Sequence, residues 1–164
     1  MSLERLWAGW RTRYVSETAF APPTDECVFC ELVDAAPDDA QILVRDELVL
    51  SVLNIYPYTS GHLMVAPLRH EGFLDELTDD EAAAVMQMTR DAIAALRNAY
   101  DPEGMNVGMN LGKAGGAGVP GHLHVHVLPR WAGDTNFMTS IAEARVLPEP
   151  LSLTRERLLA AWPK

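Results

Sequence analysis

Cysteine is scarce, positive charge is outnumbered and long apolar runs are missing in this 164-residue chain. Its two cysteines, Cys27 and Cys30, cannot supply the disulfide framework of a small secreted domain. Their Cys-x-x-Cys spacing points to redox or metal chemistry instead. Thirteen Lys and Arg stand against 23 Asp and Glu, a formal charge of −10. That balance argues against a nucleic-acid partner, which needs a basic face to displace counterions. It leaves room for a phosphorylated small molecule held by main-chain amides and one or two local cations. No apolar run reaches membrane-spanning length, and Met1-Ser2-Leu3-Glu4-Arg5 holds no signal-peptide core. No membrane partner is therefore expected, and the expected location is the cytoplasm. Internal repeats, low-complexity tracts and a magnesium-type carboxylate cluster are also missing, so any magnesium would arrive with a substrate.

What is present is an ordinary globular composition, 48% hydrophobic and 22% charged, sufficient for one domain over 1–164. Leu3, Leu6, Trp7, Trp10 and Tyr14 fall at helical spacing, a stripe suited to docking or dimer burial. Ala21-Pro22-Pro23-Thr24-Asp25 breaks the chain before the cysteines. Residues 42–44 and 48–53 read as paired strands turning near Asp46, and 62–66 as a third strand after the loop 56–61. Thr78-Asp79-Asp80-Glu81 is a capping box, and the helix it opens runs to about Tyr100 with Ala84, Val85, Met88, Ala92, Ala95 and Leu96 inward. Residues 105–111 alternate strictly, as do 122–128. A short strand near 145–147 and a helix near 151–162 close the chain. An antiparallel meander interrupted by one long helix gives an α+β fold.

Three of the five histidines, His122, His124 and His126, share one face of the segment 122–128. Same-face neighbours on a strand lie about 6.8 Å apart, so the outer pair spans roughly 13 Å. One tetrahedral metal could take two of them but not all three without bending the strand. A neutral imidazole is, however, a competent nucleophile at neutral pH, provided its second nitrogen is held in one tautomer. The Gly-rich stretch 112–121 ends on this segment and lets amides approach an oxyanion closely. Within it Lys113 is either a point charge for a polyphosphate or a solvated loop lysine.

The run His122-Leu123-His124-Val125-His126-Val127-Leu128 matches at every position the His-φ-His-φ-His-φ-φ pattern of the histidine-triad family. Leu53-Asn54-Ile55-Tyr56-Pro57-Tyr58-Thr59-Ser60-Gly61-His62-Leu63-Met64-Val65-Ala66-Pro67 resembles that family's upstream strand–loop–strand. Asn106-Val107-Gly108-Met109-Asn110-Leu111-Gly112 resembles the strand before its phosphate loop. The segment 129–138 is similar to the dinucleoside-polyphosphate branch, especially bacterial diadenosine tetraphosphate phosphorylases and hydrolases. The resemblance implies a core over 25–138, flanked by a helix and linker at 1–24 and an extension at 139–164. It also implies a sheet of about five strands that continues across a homodimer.

Carried over by residue, the resemblance makes His124 the nucleophile that forms a covalent nucleotidyl-histidine. It places the main-chain carbonyl of His122 on the other nitrogen of His124, and His126 beside the phosphate and leaving group. Asn110 matches the phosphate-contacting asparagine, and Asn54 the ribose position. Phe29 and Leu53 would line the base pocket, with Lys113, Gly116, Ala117, Gly118 and Val119 along the phosphates. Gly118 departs from the family, many members of which carry Gln there, and this bears on how the leaving group and acceptor are handled. Zinc-containing relatives use histidines matching His70 and His122, so a tetrad of Cys27, Cys30, His70 and His122 would bind one structural zinc with no open position. The alternative is a reduced dithiol packed as two small hydrophobes. The expected function is cleavage of a dinucleoside polyphosphate. A nucleoside phosphoramidase and a non-catalytic nucleotide-binding protein are the alternatives.

Overall fold

The computed structural model describes residues 27–36, 41–134 and 149–164. The expected helix on Leu3–Tyr14, the break at Ala21–Asp25 and the strand near 145–147 lie outside them. The order is α1 (Val28–Asp34), β1 (Ile42–Arg45), β2 (Val49–Leu53), β3 (Leu63–Pro67), α2 (Asp79–Tyr100), β4 (Gly104–Met109), β5 (Val125–Arg130) and α3 (Leu151–Ala161). The strands form one antiparallel sheet in the order β1-β2-β3-β5-β4. The β1–β2 turn is fixed by Asp46, whose Oδ1 accepts the N–H groups of Leu48 and Val49 at 2.9 Å each.

Period-two alternation sends side chains to two apolar clusters, one on each face of the sheet. Val49, Leu53, Leu63, Val65, Val125 and Val127 pack against Val85, Met88, Ala92, Ala95 and Leu96 of α2 and Leu158 of α3. Leu50, Val52 and Ala66 face the other way, under Phe29 and Leu32 of α1. At about 1.5–3 kcal/mol for each fully buried large apolar side chain, these two layers drive folding. No helix among the described residues is long and apolar enough to cross a membrane.

The long helix begins as its capping box requires. The N–H of Glu81 donates to Thr78 Oγ1 at 3.2 Å, and that of Thr78 to Glu81 Oε2 at 2.8 Å. It ends on Asp101, a left-handed C-cap at φ 44°. Ala84 is only half-buried, whereas Glu81 and Thr89 are buried on the inner face. Their polar atoms are satisfied there, Glu81 by the cap and Arg69, Thr89 by the carbonyl of Val85 at 2.7 Å.

Two strand expectations need correction. Residues 105–111 form the edge strand Gly104–Met109, whose apolar face is only partly covered: Met105 and Met109 pack against the core, while Val107 is 46% exposed. Residues 122–128 are not all strand: the chain bends at His122 and pairing begins only at Val125. The reason is a competing acceptor: the Leu123 N–H donates to the carbonyl of Glu71 at 2.6 Å instead of joining the ladder.

Candidate active site

All five histidines of the chain converge on the sheet face opposite α2. His62 precedes β3, His70 follows it, His122 and His124 lead into β5, and His126 lies on it. Each of the outer two triad members has a different neighbourhood. His122 turns toward the cysteines of α1, and His126 toward His62.

Backbone contacts settle which nitrogen of each ring carries the proton, because a carbonyl can only accept and an N–H only donate. His124 Nδ1 lies 2.8 Å from the His122 carbonyl, so Nδ1 is protonated and Nε2 keeps its lone pair. Among the described residues Nε2 makes no hydrogen bond. Burial pushes the pKa of His124 down and holds the ring neutral. The Tyr58 N–H donates to His62 Nδ1 at 3.1 Å, leaving the proton of neutral His62 on Nε2. That nitrogen lies 3.0 Å from His126 Nδ1, so His126 in turn carries its proton on Nε2. Burial, then the neighbouring His124, lowers the His126 pKa to about 4. Adjacent rings 5.0 Å apart thus present a lone pair from His124 and an N–H from His126.

Phe29 is buried and stacks on His124, with ring centroids 4.9 Å apart and planes 30° from parallel. Leu53 is placed differently from expectation. It packs in the layer under α2, because parity along β2 sends Val52, not Leu53, to the face of Phe29. Asn54 is buried, with Oδ1 accepting the Tyr56 N–H at 2.9 Å and Nδ2 3.4 Å from His62. Asn110 donates to the Gly116 carbonyl at 3.3 Å and pins the Gly-rich loop to the end of β4. In that loop the Gly116 and Ala117 amides are spent on internal turns to Lys113 and Gly112. Among the described residues the Gly118 and Val119 amides have no acceptor. Lys113 is exposed. Gly108 pairs with His126 in register, and a Cβ there would meet nothing within 4 Å, so the face beside His126 is open.

The strands and loops of this face suit an anion despite the net charge. None of the 23 acidic residues falls within 48–70 or 104–133, and the carboxylates of α1, Glu31 and Asp34, act on Cys30 at the cysteine end. Both stretches could have been seen in the sequence. His62 carries no local signal in the sequence, since its partner His126 is 64 residues away.

The expected metal ligands are also brought together. Cys27 Sγ lies 3.4 Å from His122 Nδ1, Cys30 Sγ 3.2 Å from His70 Nδ1 and 3.7 Å from His122 Nδ1. All four ligand atoms lie within 4.8 Å of one another. Zinc bonds of about 2.3 Å to sulfur and 2.0–2.1 Å to nitrogen give tetrahedral edges of roughly 3.3–3.8 Å, close to the three sulfur–nitrogen separations of 3.2, 3.4 and 3.7 Å. His122 Nε2 donates to the Pro67 carbonyl at 2.8 Å, so its Nδ1 lone pair faces the thiols, as ligation requires. Burial and then Cys27 push the Cys30 thiol up to about 11, a cost that a coordinated dication removes. A bound zinc here would be closed and structural. Gly72 makes the approach of the two ligand segments possible, since a Cβ there would sit 2.5 Å from the Pro120 carbonyl oxygen.

Comparison with known proteins gives the same picture. The HIT domain family matches residues 36–133. The AP-4-A phosphorylase of Mycobacterium tuberculosis is 41% identical over 167 residues, covering 98% of this chain and 85% of that protein. A Zn-bound histidine triad family protein from Mycobacterium smegmatis superimposes with a TM-score of 0.68 at 30% identity, over 83% of this chain and 92% of that one. A HIT family protein from Bacillus anthracis superimposes with a TM-score of 0.60, also at 30% identity, over 66% and 76% of the two chains. On its fold, its paired histidine rings and this match across more than half its length, the chain belongs to the HIT, or histidine-triad, family.

Proposed function

We propose that this protein is a phosphorylase or hydrolase that splits a dinucleoside polyphosphate such as diadenosine tetraphosphate through a nucleotidyl group on His124. The observation that carries the reading is the paired presentation of a bare Nε2 on His124 and an N–H on His126. The His124 lone pair attacks the α-phosphorus, a P–N bond forms, and the P–O bond to the bridging oxygen breaks. The departing polyphosphate is hydrogen-bonded by His126 Nε2–H, which His62 supports from behind. The open Gly118 and Val119 amides and Asn110 take the charge that builds on the phosphoryl oxygens. Water or orthophosphate then displaces His124, releasing nucleoside monophosphate or diphosphate. Phe29, stacked on His124, marks the end of the site at which the first base sits. The tetrad Cys27, Cys30, His70 and His122 would hold zinc, which ties α1 to the segment carrying the nucleophile. Magnesium enters only as the counterion of the substrate.

The phosphorylase outcome is favoured by the 41% identical relative of that name. The test is denaturing alkaline-quench trapping of label on the protein, since a P–N bond to histidine survives alkali but not acid, with diadenosine tetraphosphate, with and without orthophosphate. Label on His124, and ADP formed only with orthophosphate, is expected. No trapped label, or label retained in His124→Ala, refutes the covalent route. We also propose a homodimer through β4, whose outward edge is unpaired among the described residues. Sedimentation at micromolar concentration tests it, and a monomer there refutes it.

A further inference from the structure

A dinucleoside polyphosphate carries two nucleosides, and the Phe29 end of the site meets one of them. The rings on the catalytic face form a row: Phe29 to His124 at 4.9 Å, His124 to His126 at 5.0 Å, and His126 to Tyr58 at 6.1 Å. In-line displacement puts the leaving oxygen opposite the attacking nitrogen, and the proton donor must stand beside it. His126 is that donor, so the departing chain crosses His126 toward the far end of the row.

The loop 54–61 stands at that end. It exposes Ile55 at 45%, Tyr58 at 46% and Tyr56 at 79%. The backbone of both tyrosines is anchored, Tyr56 N–H to Asn54 Oδ1 at 2.9 Å and Tyr58 N–H to His62 Nδ1 at 3.1 Å. The rings therefore project from a fixed support. Tyr58 rests against His62 at 4.6 Å and tilts 26° from the plane of His126, while nearly half its surface remains open to solvent. Large apolar rings left exposed beside a reaction centre mark a binding surface. A polyphosphate crossing to this loop meets no carboxylate from 48–70.

We propose that Tyr56 and Tyr58 form the subsite of the departing nucleoside and stack its base while the polyphosphate spans His126. The proposal rests on the dinucleoside polyphosphate reading above. Every base has a π-face, so such a subsite selects for a second nucleoside without selecting its identity.

The test compares kcat/KM for diadenosine tetraphosphate with that for adenosine 5′-tetraphosphate, which lacks the second nucleoside. Wild type, Tyr56→Ser, Tyr58→Leu and the double variant are measured. The wild type is expected to favour the dinucleoside, and that preference to fall about tenfold in the double variant, through KM. Tyr56→Ser, at the most exposed position, is expected to lose part of the preference with unchanged thermal stability. A wild type without preference, or a preference unchanged in the double variant, overturns the subsite. So does an equal fall on both substrates, which would assign Tyr58 to holding His62. If the wild type cleaves neither substrate, the underlying reading itself is refuted and the subsite with it.

Discussion

Replacing Glu81 with Ala removes the point at which the long helix is fastened to the segment of Arg69 and His70. Glu81 Oε2 accepts the N–H and the hydroxyl of Thr78, at 2.8 and 3.0 Å, and one guanidinium nitrogen of Arg69 at 2.8 Å. Oε1 accepts Arg69 Nε, also at 2.8 Å. Loss of the cap costs about 1 kcal/mol. The ion pair adds little beyond this, because the Arg69 side chain is 44% exposed and water re-solvates it. The expected loss is about 1 kcal/mol, or on the order of 2–4 °C in Tm for a chain of this size. Urea unfolding measures it as a lower midpoint at constant slope. The pH dependence has a definite sign. Arg69 and then the Thr78 N–H hold the folded carboxyl at about 2, below its usual 4.5. Its contribution is therefore complete above pH 4.5 and disappears as pH falls through 2. The gap between wild type and Glu81→Ala should close over that interval. A loss below about 0.5 kcal/mol at pH 7 refutes the reasoning, as does a gap that persists undiminished at pH 2.

Other substitutions separate chemistry from support. His124→Ala should abolish turnover by at least about a thousandfold while nucleotide affinity changes little, measured by product formation and equilibrium binding. Normal turnover in that variant contradicts the nucleophile assignment. Cys30→Ser should release zinc and lower Tm, read by metal analysis and calorimetry. Fewer than one zinc per wild-type chain, with both thiols open to reagent, excludes the tetrad. Gly108→Val places two methyls beside His126, where a Cβ meets nothing within 4 Å. Nucleotide KM should rise about tenfold, with Tm held within the roughly ±0.5 kcal/mol range of a neutral surface change. Unchanged KM would mean that substrate does not cross this face.

The sequence carried the large features because they repeat or announce themselves locally. The capping box at Thr78, the inward stripe of α2 and the alternation around His124 all lie within a few residues, and the structure has each of them. What escaped depends on distant partners or on parity. Alternation cannot tell a paired strand from an extended segment, so the start of β5 depended on Glu71, 52 positions before Leu123 in the chain. Leu53 and Val52 are equally apolar, and only the register with β3 decides which of them faces α1. His62 acquires meaning only when β3 pairs with β5.

The Cys–His cluster also has a timetable. Cys30 and His122 are separated by 92 residues, so on a ribosome adding about 5–20 residues per second the thiols wait roughly 5–20 s for the last member of the cluster. During that interval the dithiol is a nascent-chain thiol pair, open to oxidants and to passing soft metals. Once His122 emerges, the fold that brings the four Cys and His atoms within 4.8 Å of one another also sets Phe29 against His124. Completion of the translated core and gathering of its two thiols thus become one event, and a chain truncated before His122 would lack the last member of the cluster.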